Sequence, residues 1–173
     1  MVERGQHSIG AGVVVSLLLC ICTLVASAEE SALVTSQALS PELALKLARA
    51  AQQACRARDL QVSVAVVDRT GAPQVMLRDQ LAGNFTYAIA LRKARTAAGF
   101  RRATLDLAQT LAQRPAFGAL QGVAGILLLA GGVPVEHDGT VIGAIGVSGA
   151  PAAEDDHACA IAGIAAIADD LAF

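Results

Sequence analysis

The sequence predicts an α+β domain, with helices packed on a five-stranded antiparallel sheet in the order α-β2-α-β3-α. Three features predict it. The apolar runs "AGILLLA", "VPVEH" and "TVIGAIGVSG" are separated only by Gly131-Gly132 and Asp138-Gly139, pairs suited to hairpin turns. Upstream, "QVSVAVVD" and "PQVMLRD" are joined by a short Gly-containing turn in the same manner. Segments of helical period precede, separate and follow these two groups of strands.

The N-terminal segment stands apart from that domain. After Arg4, "VVVSLLLCICTLV" is almost continuously apolar, yet shorter than the roughly 20 residues of a membrane-spanning helix. Ala26-Ser27-Ala28 follows with the small side chains that signal peptidase requires. Residues 1–28 therefore read as a secretory signal peptide cleaved after Ala28. Leu19 precedes Cys20 where a lipoprotein anchor would need a small residue. The expectation is a periplasmic or secreted protein with no stable membrane anchor after cleavage. Residues 29–39 read as a flexible lead-in and 40–173 as a single domain, long enough to bury an ordinary core.

Within that domain, Ser40 is placed to cap a helix that has Pro41 at its first position and Glu42 in its first turn. Leu43, Leu47, Ala50, Ala51 and Ala54 predict its buried stripe, with Lys46, Arg49, Gln53 and Arg56 opposite. In the first hairpin Val62, Val64 and Val66 share one face, and Ser63, Ala65 and Val67 the other. Asn84 is placed to cap a helix running to about Gly99, and Thr104 a shorter one ending before Pro115. The last three strands follow, with Pro134 suited to a sheet edge. Pro151 then opens a final helix rich in Ala.

Composition excludes some partners. A formal net charge of −2 gives no basic surface for phosphate backbones. With no Trp and a single Tyr, the chain also has no aromatic platform for stacking bases. Cys20 and Cys22 leave with the signal, so Cys55 and Cys159 remain. In an oxidising compartment such a pair suggests a disulfide, the alternative being two inert buried thiols.

Three constellations are candidates for chemistry. "GVSGA" around Ser148 lacks the second glycine of a nucleophile elbow, and His157, Asp155 and Asp156 lie too close in sequence to complete a triad around it. Glu154 and His157 share a helix face and could ligate a metal, but acidic residues in a first helical turn also serve the helix dipole. The basic stretch "LRKARTAAGFRR" is the third. It carries Arg92, Lys93, Arg95, Arg101 and Arg102. Arg92, Arg95 and Arg102 fall near one helix stripe and could hold a carboxylate or a tetrapyrrole's propionates, with Lys93 beside them as a further ligand-binding candidate. The stretch could instead form a solvated or interface face. The small face of the last strand (Ala144, Gly146, Ser148) requires a close neighbour, either the last helix or a ligand.

Four blocks in register, "VSVAVVDRTG", "LRKARTAAGFRRAT", "GGVPVEHDGTVIGAIGVSGA" and "DDHACAIAGIAAI", resemble the GlcG/HbpS family of haem-binding-like proteins. That family is related to the C-terminal domain of PduO-type cobalamin adenosyltransferases, and the resemblance spans roughly Pro41 to Ala168. It implies a profilin-like sandwich with a five-stranded antiparallel sheet, assembled into homo-oligomers. It also implies that "GVSG" is a structural strand and turn. Exported members carry one cysteine in each of the first and last helices, which implies a Cys55–Cys159 bridge.

Haem is the cofactor that the resemblance suggests. The resemblance implies ligation through a histidine of the N-terminal region, whereas this chain has only His7 before Glu136, within the signal. His157 is then the leading axial candidate, ahead of His137, Met76 and Tyr87. The expected function is an exported small-ligand binder, non-catalytic or weakly catalytic, for haem or another anionic hydrophobic molecule. The alternatives are an enzyme acting on a small carboxylic acid, with Lys93 or Arg95 orienting it and His157 moving protons, and an oligomeric accessory protein without a ligand.

Overall fold

A computed structural model describes Leu33 and residues 35–172. The predicted signal peptide and the start of the lead-in lie outside the described residues. Residues from Ser36 onward form one unit of four strands and four α-helices.

Helix α1 (Pro41–Arg56) begins as its sequence requires: the Ser40 hydroxyl accepts from the Leu43 amide at 3.1 Å, with Pro41 in the first turn. Its buried stripe is Ala44, Leu47, Ala48, Ala51, Gln52 and Cys55, rotated slightly from the predicted one. Strands β1 (Ser63–Asp68) and β2 (Pro73–Arg78) form the first hairpin, and β3 (Gly132–His137) and β4 (Thr140–Ser148) the second. Asp138 and Gly139 both have positive φ, as the Asp-Gly turn predicts. The antiparallel sheet runs β2-β1-β4-β3, so Pro134 does lie on an edge strand.

Among the described residues the sheet has four strands, not five. "AGILLLA" forms no ladder, because its backbone groups are taken up by helix α2 (Thr86–Phe100). The Leu127 amide donates to the Thr96 hydroxyl at 2.9 Å, and Arg92 donates to the Ile126 carbonyl at 2.8 Å. Gly131-Gly132 thus leads into β3 instead of turning between two strands.

Strand alternation sorts side chains to two cores. Val64, Val66, Ile145 and Val147 meet Leu47, Ala51 and Cys159, from α1 and helix α4 (Ala153–Ala165). Ala65, Val67 and Ala144 meet Ala90, Ala94 and Ala97 of α2. The small face of β4 is therefore covered by α2, not by the last helix. A Cβ at Gly146 would lie 2.0 Å from the Ala90 carbonyl oxygen, so a larger residue there would displace the helix.

Two predicted caps act differently. Thr86, not Asn84, fixes the entry to α2, donating to the Gly83 carbonyl at 2.7 Å and pairing with Ser63. Thr104 is the first residue of α3 (Thr104–Gln113) and is fully buried. Its hydroxyl accepts from the Gly132 amide at 2.8 Å and donates to the Gly132 carbonyl at 3.3 Å, tying α3 to β3. Helix α4 starts two residues after Pro151. It packs on α1, to which the Cys55–Cys159 disulfide joins it, with Cα atoms 5.4 Å apart. Among the described residues no helix is long and apolar enough to cross a membrane.

Candidate functional site

With its alanine face on the sheet, α2 turns Arg92, Arg95, Gly99 and Phe100 outward. Two loops are tied to this stripe. Arg95 Nε donates to the Gly71 carbonyl at 3.0 Å, holding the β1–β2 turn, while Arg92 and Thr96 hold the segment at Ile126 and Leu127. Between them lies an open cleft of about 620 Å³, lined by Thr70, Gly71, Arg95, Phe100, Ala124 and Ile126 among others. That volume falls within the range of small-molecule sites. With Nε engaged, the terminal nitrogens of Arg95 remain free among the described residues to bind an anion.

The β1–β2 turn is organised in advance by Asp68. Its carboxylate accepts from the Thr70 hydroxyl at 2.7 Å, the Thr70 amide at 2.8 Å and the Ala72 amide at 3.0 Å. The Thr70 hydroxyl bond is the largest cause holding the Asp68 pKa below the ordinary carboxylate value, with the backbone amides adding to it. Asp two residues before Thr is the local signature of such a turn, so this element was discoverable in "DRTG".

Lys93 lies elsewhere. Its side chain is fully buried, and Nζ donates to Asp156 Oδ2 at 2.8 Å and to the Val147 carbonyl at 3.0 Å. The other Asp156 oxygen accepts from the Ala150 amide at 3.0 Å. Burial pushes the Lys93 pKa down and the Asp156 pKa up, while their mutual attraction opposes both shifts. Gly131 makes room for the pair, since a Cβ there would approach Lys93 Nζ to 2.9 Å and the Val147 oxygen to 2.6 Å. Lys93 is thus engaged within the fold, joining α2, β4 and α4. No short-range pattern marks this pair, whose members are 63 residues apart.

The remaining candidates are dispersed. His157 lies on α4, lines neither the main cleft nor the polar one beside it, and feels the charge of Asp106 on α3. Burial pushes its pKa below 6.5, against the pull of Asp106. Its Nδ1 is buried without a hydrogen-bond partner among the described residues. His137 is partly buried, 3.4 Å from Asp138, and borders a separate cleft with Leu39, Leu43 and Ile142. Met76 and Tyr87 are exposed. Ser148 is a buried β4 residue paired with Ser63. Among the described residues no three His, Cys, Asp or Glu side chains converge as a metal site. The structure places Arg95 in the cleft lining, has Arg92 brace the cleft wall through the Ile126 carbonyl, and leaves Lys93, His137 and His157 outside it.

The model of the family described as "Haem degrading protein HbpS-like" matches residues 39–165. The chain belongs to the HbpS-like family. A crystallised double mutant of Streptomyces reticuli HbpS is 45% identical, with a TM-score of 0.72, over 77% of this chain and 89% of that one. A PduOC:heme complex is 32% identical, with a TM-score of 0.67, over 75% of this chain and 95% of that one. An uncharacterised 15.0 kDa protein of Citrobacter freundii is 33% identical over 119 residues, covering 65% of this chain and 84% of that protein.

Proposed function

We propose that this HbpS-like chain is an exported small-ligand-binding protein for haem or another anionic, largely apolar molecule. The observation that carries the reading is the cleft beside α2, where an apolar wall (Phe100, Ala124, Ile126) meets the free terminal nitrogens of Arg95. A relative crystallised with heme supports the same ligand class. Export is supported by the signal-like N-terminus and by the Cys55–Cys159 disulfide, a bond that persists in oxidising compartments. The exposed Leu81, Phe85 and Tyr87 near the start of α2 support assembly into a homo-oligomer.

The donor set fits haem in part. Arg95 suits a propionate, and Phe100 and Ile126 suit a macrocycle. Among the described residues the cleft lining contains no His, Met, Cys or Tyr for the iron. His157 also lacks the hydrogen bond on Nδ1 that ordinarily orients an axial imidazole. When bound, haem would supply a redox-active iron; the chain's own residues would anchor carboxylates and exclude water from one ring face. His157 does not line the cleft that holds Arg95, so the geometry does not favour an enzyme built on that pair.

The test is a haemin titration, followed by absorbance, of protein purified from the periplasmic or culture fraction. A Soret band saturating at one haem per protomer, weakened by Arg95→Ala and retained in His157→Ala, supports the cleft. A non-saturating drift, unaffected by Arg95→Ala, overturns the reading. The mass of the purified chain tests export, since cleavage after Ala28 leaves Glu29 as the first residue.

A further inference from the structure

A second, more polar cleft of about 370 Å³ adjoins the first, and Thr70 lines both. It lies between the β1–β2 turn, the C-terminal end of α2 and the β3–β4 hairpin, lined by Arg69, Arg101, Glu136 and Thr140. Most cations of the fold already have partners. Lys46, Arg56, Arg58, Lys93 and Arg102 face carboxylates, and Arg78, Arg92 and Arg95 donate to backbone carbonyls. Among the described residues, the side chains of Arg49, Arg69, Arg101 and Arg114 have neither. Two of these converge on this one cleft.

The backbone supports the same reading. Arg101 ends α2 in the left-handed conformation (φ 51°, ψ 41°), a position that ordinarily favours glycine. The Asp68-centred turn presents Arg69 and Thr70 from the other side. Among the described residues Glu136 lines the cleft without an ion pair; it opposes an anion, and the two guanidiniums leave a net positive charge.

We infer that Arg69 and Arg101 form an anion subsite contiguous with the main cleft, binding the carboxylates of an amphipathic ligand whose apolar body lies against Phe100 and Ile126. This rests on the reading of the main cleft as the binding site, and it adds the place of the ligand's carboxylates and the residues that hold them.

The experiment compares haemin with its dimethyl ester, which keeps the ring and iron but loses both carboxylate charges. Wild-type protein binds haemin at least about tenfold more tightly than the ester. Arg69→Ala and Arg101→Gly each weaken haemin by about tenfold and leave the ester unchanged. Glu136→Gln tightens haemin. Arg101→Gly also raises the melting temperature by relieving the left-handed arginine, so its binding loss cannot be ascribed to unfolding. Equal binding of haemin and ester, or variants that bind haemin as wild type does, overturns the subsite while leaving the main cleft's role intact. If haemin does not saturate wild type, the proposed haem ligand fails, and an anilinonaphthalene sulfonate probe reads the subsite alone. Probe fluorescence reduced by Arg69→Ala and Arg101→Gly retains the subsite for a different ligand; unchanged fluorescence overturns it.

Discussion

Lys93 and Arg95 stand two residues apart on α2 and live in opposite surroundings. Lys93 is fully buried, its ammonium shared between Asp156 and the Val147 carbonyl, in a pocket that only glycine at position 131 leaves open. Arg95 is exposed at a cleft with one nitrogen engaged and the others free among the described residues. A buried charge must be paired because desolvation is otherwise uncompensated, whereas an exposed guanidinium keeps its hydration until a ligand replaces it. One basic stretch therefore holds a fastening of the fold and a binding group, and charge alone does not tell them apart.

The largest effect should come from breaking the buried pair on one side. Lys93→Met or Asp156→Leu leaves an unpaired buried charge and should destabilise the fold by about 3–5 kcal/mol in chemical denaturation. The double variant Lys93→Met/Asp156→Leu should recover much of that loss; if it is no more stable than the single variants, the pair is not a coupled unit. Next, Cys55→Ala/Cys159→Ala opens a cross-link spanning 104 residues and should lower stability by about 2–5 kcal/mol, with haemin binding by the remaining folded protein unchanged.

At the cleft the two readouts should reverse. Arg95→Ala should cost about 1 kcal/mol of stability, the worth of its single bond to the Gly71 carbonyl, yet weaken haemin by about tenfold. A large fall in melting temperature with unchanged haemin affinity would erase the contrast with Lys93.

The smallest effect concerns pH. The folded-state pKa of His157 lies below 6.5, so between those values the unfolded chain binds more protons than the folded one. Stability should therefore fall as pH drops through about 6.5 and level off below the folded value. His157→Gln should flatten that part of a melting-temperature profile. Haemin affinity at the arginine-lined clefts should stay level over the same range, because guanidinium groups do not titrate there.

Some features were legible because they depend on only a few neighbouring residues. Ser40 and Pro41 start α1, Asp138-Gly139 turns the β3–β4 hairpin, and alternation along β1 separates Val64 and Val66 from Ala65 and Val67. Misreadings arose where a distant partner decided. Thr104 has the composition of a cap but binds Gly132, and "AGILLLA" has the composition of a strand but is held by Arg92 and Thr96. Of the candidate site, the sequence pointed to the basic stretch that holds Arg95 and Arg101, but not to Arg69 or to its meeting with Arg101. Those two meet only because a hairpin turn and a helix end lie at the same edge of the sheet.

By itself the sequence determined the α+β class, the antiparallel hairpins, the two cysteines of the domain and membership of the HbpS-like family. Periodicity, turn chemistry and matching blocks in register are all readable along the chain. Tertiary structure alone decided that α2 covers the small face of β4, that Lys93 pairs with Asp156, and that Arg69, Arg95 and Arg101 remain free of carboxylates. Each of these depends on which surfaces meet across long sequence separations, where burial and desolvation, not local preference, set which charges are partnered and which stay open.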